Sequence, residues 1–452
     1  MTRFPEPGKT KTRLIPALGP DRAASLHRCL IEHTLNVVSH WARVHDCDVE
    51  VRYFGGDEKL FRNQFGAQFV YLPQAEGSLG DRMNAAVAEA FADGAKRVVV
   101  IGTDCPMLDE THLTNAFQQL QDHDVVIGPA TDGGYYLIGI QRHFPSLFEN
   151  IAWGTETVLQ QTLQIVAKLN VRTSQLAPLS DVDYVEDLIQ CRKVEASFLD
   201  VLPQTIAGLI SIIIPALNEA THITETLLRL LNIPDVEIIV ADGGSTDRTA
   251  ELAQAAGASV VVQCNPGRGK QMNAGAALAS GEVLLFLHAD TQLPTDFRKH
   301  IWMAMQDDYT AGAFQLRIGA KNWMLRLVEF VANLRSRWFR LPYGDQAIFV
   351  RTSVFFQMNG FRQWPLMEDY DFCQRLMKVG RLKLAAACVT TSARRWQRLG
   401  VLRTTLTNLA CVIAFKLGVS PATLAGWYRR RRIARRASEN SLPNTVDLSL
   451  RR

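Results

Sequence analysis

Short apolar runs alternate with helical patterns along the whole chain. The runs are rich in Val, Ile and Leu and are bounded by Gly, Pro, Asn and Asp, which is typical of strands. They predict strands at 49–54, 68–72, 97–103, 124–127, 135–140, 209–214, 236–241, 258–263 and 283–287. Because strands that alternate with helices form βαβ units, the pattern predicts an α/β fold with mainly parallel sheets flanked by helices.

Two of these strands end in an aspartate that is followed by a proline turn. The first is VVVIGTDCPML at 98–108, with Asp104, and the second is LLFLHADTQLP at 284–294, with Asp290. A carboxylate at the end of a buried strand is costly unless a positive group meets it. The recurrence of this pattern indicates a repeated unit.

A longer similarity between the two halves supports the repeat. QFVYLPQAEGSLGDRMNAAVAEA (68–90) and SVVVQCNPGRGKQMNAGAALA (259–279) each contain a strand, a Gly-bearing loop with a basic residue, and Met-Asn-Ala in a helix. The similarity predicts two related nucleotide-binding domains in tandem, although any two αβ units share this outline. We expect domains at 1–197 and 205–400, followed by a helical, Arg-rich segment at 401–452.

The composition is that of a globular protein of two domains, with 452 residues, 47% hydrophobic and 21% charged. The eight cysteines form no C-x-x-C pair, which argues against a zinc site or a disulfide framework and favours a reducing, cytoplasmic compartment. The sequence at the N-terminus lacks the apolar segment of a secretory signal. No apolar run approaches the roughly 20 residues that a membrane span requires.

The C-terminal segment concentrates positive charge. An arginine run at 429–432 is followed by Arg435 and Arg436, and apolar helical patches with Trp427 and Tyr428 precede it. These features favour peripheral contact with anionic headgroups at the inner membrane face. The alternative is a helix packed on the domain's own core with a solvated Arg tail. Nucleic-acid binding is not expected, because no aromatic-interleaved basic surface accompanies the run.

The second half contains loops suited to a nucleotide. SIIIPALNEATHITETL (211–227) is a strand, a polar turn and a helix, and EIIVADGGSTDRTAEL (237–252) is a strand that ends at Asp242 before a Gly-Gly turn. Asp242 is placed to bind a base or ribose at the carboxyl edge of the sheet, although an aspartate before glycine also forms turns. The loop NPGRGKQMNAG (265–275) adds Arg268 and Lys270, which suit a diphosphate.

Four motifs in this order resemble a family 2 glycosyltransferase of the GT-A fold. They are I-P-A-L-N-E (214–219), A-D-G-G-S-T-D (241–247), H-A-D (288–290) and M-E-D-Y-D-F (367–372), and the similarity covers 208–400. Within that family the sequence resembles bacterial enzymes of arsenosugar biosynthesis, with diaponeurosporenoate glycosyltransferases as related proteins. The resemblance implies a nucleotide-sugar site that includes Pro215, Asn218, Glu219, Asp242, Gly244, Arg268 and Lys270.

The resemblance also implies the chemistry of the site. Asp290 corresponds to the metal-binding aspartate of the family's D-x-D motif, which holds Mg or Mn, whereas His288 replaces the first aspartate. In the Glu368-Asp369 pair, Asp369 accepts the proton of the acceptor hydroxyl. The alternative is that these acids simply suit the first turn of a helix.

Two further elements of the family contribute Asp345, Arg395 and Trp396 to the expected nucleotide-sugar site. Gly344-Asp345-Gln346 resembles an acceptor-side loop, and Arg395-Trp396 resembles the family's R-W element without the Gln of the processive motif. The resemblance therefore implies inverting transfer of a single sugar to a small or lipid-like acceptor. The expected protein is a cytoplasmic glycosyltransferase.

The first half begins with a loop that suits phosphates. FPEPGKTKTRL (4–14) places Lys9, Lys11 and Arg13 beside Gly8. With four further motifs at 77–83, 102–106, 128–139 and 179–188, it resembles a second GT-A-like family of arsenosugar biosynthesis. It is also similar to the molybdenum-cofactor and phospholactate guanylyltransferases. The family's apolar strand before this loop is nearly missing here.

This second resemblance covers 2–190 and implies that Asp104 holds a metal. Asp132 and Asp183 then lie near the nucleotide or acceptor, although Asp183 also suits a helix cap. Three hypotheses remain open for the first half. It is a second transferase, a nucleotidyltransferase that prepares the activated sugar, or a non-catalytic binding module.

Overall fold

The computed structural model describes residues 1–194, 198 and 201–427. The chain forms two compact units, Met1–Gln204 and Thr205–Arg452. Both contain helices and sheets with parallel strand pairs, so the predicted α/β class is confirmed. All the predicted strands are present, with ends that differ by three residues or fewer.

The described residues of the first unit form two sheets. Parallel strands form the first, in the order β1-β2-β3, and the second is mixed, in the order β4-β6-β5-β7. The strands are β1 Thr2–Arg3, β2 Glu50–Phe54, β3 Val70–Pro73, β4 Val98–Ile101, β5 Val125–Pro129, β6 Tyr135–Ile140 and β7 Thr173–Gln175. The sequence pattern missed β1 and β7, which are short.

Seven helices of the first unit are described: α1 Ile15–Leu18, α2 Pro20–His45, α3 Glu58–Phe65, α4 Leu79–Ala92, α5 Glu110–Asp122, α6 Val158–Leu169 and α7 Cys191–Val194. Side chains fix several helix starts. Ser78 and Asp81 form a reciprocal capping box at α4, and Asp109 accepts hydrogen bonds from Thr111 N and His112 N at α5.

The predicted near-absence of the first strand corresponds to the two-residue β1. Thr2 and Arg3 pair in parallel with Tyr53 and Phe54 of β2. The Met1 amino group donates to the Ile101 carbonyl oxygen over 2.7 Å, and the hydroxyls of Thr2 and Thr103 are 3.0 Å apart. The start of the chain thereby connects the two sheets.

The second unit is built on one eight-stranded sheet in the order β10-β9-β8-β11-β14-β13-β15-β12. The strands are β8 Ile206–Ala216, β9 Val236–Asp242, β10 Val260–Gln263, β11 Gly281–Phe286, β12 Thr291–Gln292, β13 Tyr309–Ile318, β14 Phe349–Arg351 and β15 Arg381–Thr391. Strands β10, β9, β8 and β11 run parallel, so their carboxyl ends lie at one edge.

Four strands of this sheet were not predicted: β12, β13, β14 and β15. Strands β13 and β15 pair in parallel over most of their length. Their sequences, YTAGAFQLRI and RLKLAAACVTT, contain Ala, Gly and charged residues of low strand propensity. Their partners in the sheet therefore determine their conformation.

The helices of the second unit surround this sheet. They are α8 Ile223–Leu228, α9 Thr249–Ala255, α10 Arg268–Ala277, α11 Phe297–Ala304, α12 Trp323–Phe339, α13 Thr352–Gln357, α14 Glu368–Val379, α15 Arg394–Leu399 and α16 Val401–Lys416. A core of aliphatic side chains from β8, β9 and β11 packs with α8, α9 and α11. Helices α15 and α16 belong to the second unit.

No helix among residues 1–194 and 201–427 is long and apolar enough to cross a membrane. The predicted C-terminal segment is described as far as Trp427. Tyr428 and the arginine run at 429–436 lie outside the described residues.

Asn273 fixes α10 to the chain segment that precedes α14. Its side chain is fully buried, donates to the Phe361 carbonyl oxygen over 2.8 Å and accepts from Phe361 N over 2.9 Å. Replacement by alanine leaves both backbone groups without these bonds, which costs about 1–3 kcal/mol for each unpaired group. We expect Asn273→Ala to lower the free energy of unfolding by about 2 kcal/mol or more, measured by urea unfolding with circular dichroism.

Asn273→Asp places a carboxyl oxygen against the Phe361 carbonyl oxygen and buries an ionisable group, so it should also destabilise the second unit. Asn63→Ala, on the exposed face of α3, is the control and should change little. Equal unfolding curves for Asn273→Ala and Asn63→Ala would contradict this role.

Candidate active site

A cleft of about 820 Å³ lies at the carboxyl edge of the sheet in the second unit. The end of β8, the residues after β11, and the starts of α10 and α14 contribute to it. Loop 343–345 and helix α16 complete its walls. This is the edge at which open α/β sheets bind ligands.

The structure brings most of the predicted site residues together. Those that line the cleft are Pro215, Glu219, Arg268, Lys270, Asp290, Asp345, Glu368, Asp369 and Trp396. Three others, Asn218, Asp242 and Gly244, are not among its lining residues. The side chain of Arg395 lies outside the described residues.

Asn218 and Asp242 shape the turn beside the cleft. The Asn218 side-chain oxygen accepts from Thr246 N over 2.9 Å, and its own N–H donates to the Ser245 hydroxyl. The buried Asp242 carboxylate accepts from the N–H and hydroxyl of Ser245. Gly244 has a φ of +83°, which the tight turn requires. These contacts match the turn-forming alternative for Asp242.

The start of α10 is a basic helix terminus inside the cleft. Arg268 and Lys270 follow Gly267, whose φ of +134° only glycine adopts readily. The Gln271 side chain donates to the carbonyl oxygens of Ala216 and Ala241, which fixes the helix to the ends of β8 and β9. The free N–H groups and positive side chains suit an anion such as a diphosphate.

The start of α14 places two acids in the cleft in different environments. One Asp369 oxygen accepts from Gly344 N over 2.8 Å, and the other accepts from Tyr370 N over 2.7 Å. Glu368 is 4% exposed and lies 3.4 Å from an Arg268 nitrogen. Burial, together with the charge of Asp369, raises the pKa of Glu368. Asp369, which two backbone N–H groups hold in the cleft, is therefore the acid whose position suits a proton acceptor.

Asp290 is paired with an arginine that the sequence analysis did not select. Arg394 Nη2 lies 2.9 Å from an Asp290 oxygen and 3.8 Å from a Glu219 oxygen, and its other terminal nitrogen contacts His222. Burial raises the pKa of Glu219, against the opposing charge of Arg394. Arg394 precedes the R-W element directly, which is the signal that could have identified it.

His288 lies beside the Asp369 carboxylate. A side chain at Gly344 would meet His288 Nε2 at 3.1 Å and an Asp369 oxygen at 3.4 Å, so glycine allows this close approach. His288 Nε2 is buried and has no hydrogen-bond partner among the described residues, although part of the residue is accessible. Burial, with a smaller effect of Arg268, lowers the pKa of His288 to about 3. The imidazole is therefore neutral near physiological pH.

The first unit has an acid–base cluster of its own. Lys11 Nζ lies 2.8 Å from an Asp104 oxygen and 3.4 Å from an Asp183 oxygen, and Arg13 pairs with Asp183 at 2.6 Å. Burial disfavours the charged forms of Lys11 and Asp104, but the opposite charges of their neighbours outweigh this effect. The pKa of Lys11 is accordingly raised and that of Asp104 lowered. Of the predicted residues, Lys11, Arg13, Asp104 and Asp183 are brought together.

The other predicted residues of the first unit have local roles. Asp132 accepts from Gly134 N over 2.8 Å within a turn. Lys9 is exposed and pairs with Glu6, and Gly8 has a φ of +78° in the same loop. Asp181 is a further acid of the cluster. Burial and the charges of Asp132 and Asp183 raise its pKa to about 7.

Comparison with protein families decides the identity of the second unit. Residues 211–364 match the model of glycosyl transferase family 2. The chain is 37% identical over 180 residues to a PGL/p-HBAD biosynthesis glycosyltransferase of Mycobacterium bovis. The matched region covers 37% of this chain and 68% of the relative. The chain belongs to glycosyl transferase family 2. The matched range contains Asp290 and Asp345, whereas Glu368, Asp369 and Arg394 follow it.

Further similar proteins have lower sequence identity. The chain is 24% identical over 208 residues to "Probable glycosyltransferase YdaM" of Bacillus subtilis, which covers 40% of this chain and half of the relative. A solved glucosyl-3-phosphoglycerate synthase of Mycobacterium tuberculosis, in complex with Mn2+, UDP and glucosyl-3-phosphoglycerate, is 22% identical. That match covers 44% of this chain and 78% of the synthase, with a TM-score of 0.34.

A second family model matches the first unit. Residues 37–155 match an uncharacterized protein family conserved in bacteria, DUF2064. This range contains Asp104 and Asp132, whereas Lys11, Arg13 and Asp183 lie outside it. The chain is therefore a tandem of a DUF2064 region and a family 2 region.

Asp290 is the residue of the family 2 cleft that we considered as a metal ligand. Among the described residues, no group of three or more His, Cys, Asp or Glu side chains is arranged to hold an ion. Mg is commonly bound through one or two carboxylates with substrate phosphates and water, so Asp290 alone fits this mode. The Asp290 carboxylate forms an ion pair with Arg394, and this pair would have to separate for Asp290 to bind a cation.

The raised pKa of Asp181 predicts a pH effect on the first unit. The folded state holds this proton more tightly than the unfolded state, whose pKa is about 4. Asp181 therefore contributes stability at low pH that is lost as the pH rises towards 7. We expect Asp181→Asn to stabilise the first unit at pH 8 and to change little at pH 4, measured by thermal unfolding.

Asp122→Asn is the control, because it makes the same charge change at an exposed position in α5. Its effect should not follow this pH dependence. A stability difference for Asp181→Asn that is the same at both pH values would show that Asp181 is not buried beside other acids.

Proposed function

We propose that the family 2 unit transfers a single sugar from a nucleotide-diphospho-sugar to a hydroxyl of a small or lipid-like acceptor. The observation that carries this proposal is that one cleft contains both the basic start of α10 and the Asp369 carboxylate. The first suits a diphosphate, and the second suits a hydroxyl proton. The proposed enzyme domain is 205–400, with 401–452 as an appended segment.

The donor side of the site consists of Arg268, Lys270 and the N–H groups of α10. These groups offset the charge of the diphosphate, both when it is bound and when it leaves. Asp290 would hold a divalent cation, Mg or Mn, which supplies further neutralisation of the leaving group when it is bound. Arg394 keeps Asp290 paired in the absence of a donor.

The acceptor side is arranged around Asp369. The N–H groups of Gly344 and Tyr370 hold its two oxygens, which restricts the rotation of the carboxylate. A fixed carboxylate accepts the proton as the hydroxyl attacks the anomeric carbon, and direct displacement inverts that carbon. Asp345 and Trp396 also line the cleft, and we assign them, with Arg395, to nucleotide-sugar binding.

We propose that the first unit binds a nucleotide or phosphate through Lys11 and Arg13, with Asp104 as a metal ligand. The Lys11–Asp104–Asp183 cluster favours this role over that of a scaffold. The domain is a second transferase or a nucleotidyltransferase, and release of pyrophosphate from an NTP and a sugar phosphate distinguishes the two. The pathway we propose is arsenosugar biosynthesis, in the cytoplasm or at the inner membrane face.

The two carboxylates predict different failures. Asp369→Asn should keep donor binding and lose transfer by roughly 10²- to 10⁴-fold, because the acceptor proton has no base. Calorimetric titration of UDP- and GDP-sugars with Mg, beside a transfer assay on the same panel, measures both effects. Asp371→Asn is the control, since Asp371 lies on the same helix, pairs with Arg375 and does not line the cleft. Transfer by Asp369→Asn at the rate of the unchanged protein would exclude Asp369 as the base.

Asp290→Asn should instead weaken donor binding that depends on the divalent cation. The unchanged protein should lose donor affinity when EDTA is added, and Asp290→Asn should show little further loss. The reason is that the carboxylate is the only proposed protein ligand of the ion in this cleft. Donor binding that survives EDTA in the unchanged protein would remove the metal role of Asp290.

A further inference from the structure

Helix α12 exposes a row of large apolar side chains. Trp323, Leu327, Phe330 and Trp338 are 75%, 56%, 62% and 71% exposed, and Val331 and Phe339 flank them. Their spacing places them along one side of a helix. The other side is buried through Leu325, Glu329, Ala332 and Ser336, so the exposed row is additional to the face that packs on the unit.

Helix α16 exposes a second row with the same spacing. Leu402, Leu406, Leu409 and Ile413 are between 50% and 71% exposed, and Leu417 continues the row after the helix. Helices α12 and α16 contact each other. Exposed apolar patches of this kind mark interaction sites on soluble proteins. We name this patch the α12–α16 face.

The charges on these two helices have one sign. Helix α12 carries Arg326, Arg335 and Arg337. Arg326 pairs with the only acid of the helix, the buried Glu329, and Arg335 donates to the Leu341 carbonyl oxygen, whereas Arg337 is exposed. Helix α16 carries Arg403 and Lys416 and no acid. Basic residues beside exposed tryptophan and phenylalanine are typical of helices that lie in the surface of an anionic bilayer. A second copy of the same face would place like charges together, which disfavours self-association.

The opposite side of α16 lines the cleft. Asn408, Cys411 and Val412 are among the cleft residues, whereas Leu406, Leu409 and Ile413 are exposed. One helix thus separates the cleft from the exposed row. A surface that covers the row would lie next to the acceptor side of the cleft.

We propose that the α12–α16 face docks on an anionic membrane surface and holds the cleft beside the lipid headgroups. This extends the expected membrane contact from the C-terminal segment to α12, which the sequence analysis did not select. The docking requires neither the donor nor the catalytic residues. It can therefore be tested separately from the transferase activity.

The test uses the full chain in flotation with vesicles of phosphatidylcholine, with and without phosphatidylglycerol. We expect binding to the vesicles that contain phosphatidylglycerol and loss of that binding at high salt. Phe330→Glu in α12 and Leu406→Glu in α16 should each weaken it roughly tenfold or more, because each removes an exposed apolar group that docking would bury and adds a negative charge. Leu228→Glu, at an exposed position of α8, is the matched control and should bind like the unchanged chain.

Three results would overturn the proposal. The first is the absence of binding to anionic vesicles. The second is binding by Phe330→Glu and Leu406→Glu equal to that of the control, which would assign any membrane contact to residues after 427. The third is a concentration-dependent dimer in sedimentation that Phe330→Glu dissociates, which would identify the face as a contact between copies. Donor titration of the same variants should be unchanged, so a failure of the transferase proposal appears in a different experiment.

Discussion

The second unit depends on a constraint that parallel apolar strands impose. Strands β8, β9 and β11 are buried over most of their C-terminal halves, so polar and charged groups are accommodated where the strands end. In a parallel arrangement these ends meet at one edge. Asp290 and the loop after Pro215 lie there, and so does the buried Asp242 carboxylate, which accepts hydrogen bonds from Ser245. The helices that return from this edge also begin there, and their free N–H groups face the same space.

Within that space, local contacts give similar side chains different properties. Glu368 and Asp369 are adjacent in sequence, yet burial raises the pKa of Glu368, while two backbone N–H groups hold Asp369. Asp290 is paired with Arg394, whereas both carboxylate oxygens of Asp242 accept hydrogen bonds from Ser245 in its own turn. The residue type alone therefore does not assign a role at this edge. The partner of each carboxylate does.

The apolar strands were predictable because β-branched runs bounded by glycine and proline carry their own signal. Strands β13 and β15 could not be predicted in this way, because pairing within the sheet rather than composition stabilises them. The order of the four family motifs identified Asp369 and Asp290 as candidate site residues, and both line the same cleft. Arg394 was not selected, although it directly precedes the R-W element, because its contact with Asp290 joins residues 104 positions apart and is formed only by the fold. Asp242 had two interpretations from its sequence, and only the position of Ser245 distinguishes them.

The central claim is that the cleft of the second unit binds a nucleotide-diphospho-sugar. Hydrogen–deuterium exchange of the full chain, with Mg and a panel of UDP- and GDP-sugars, tests this claim most directly. A bound donor should slow exchange at 266–271, at the start of α10, and at 288–292 after β11, with smaller effects at 343–346 and 367–370. Protection confined to the first unit, with unchanged exchange in these four segments for every donor, would contradict it.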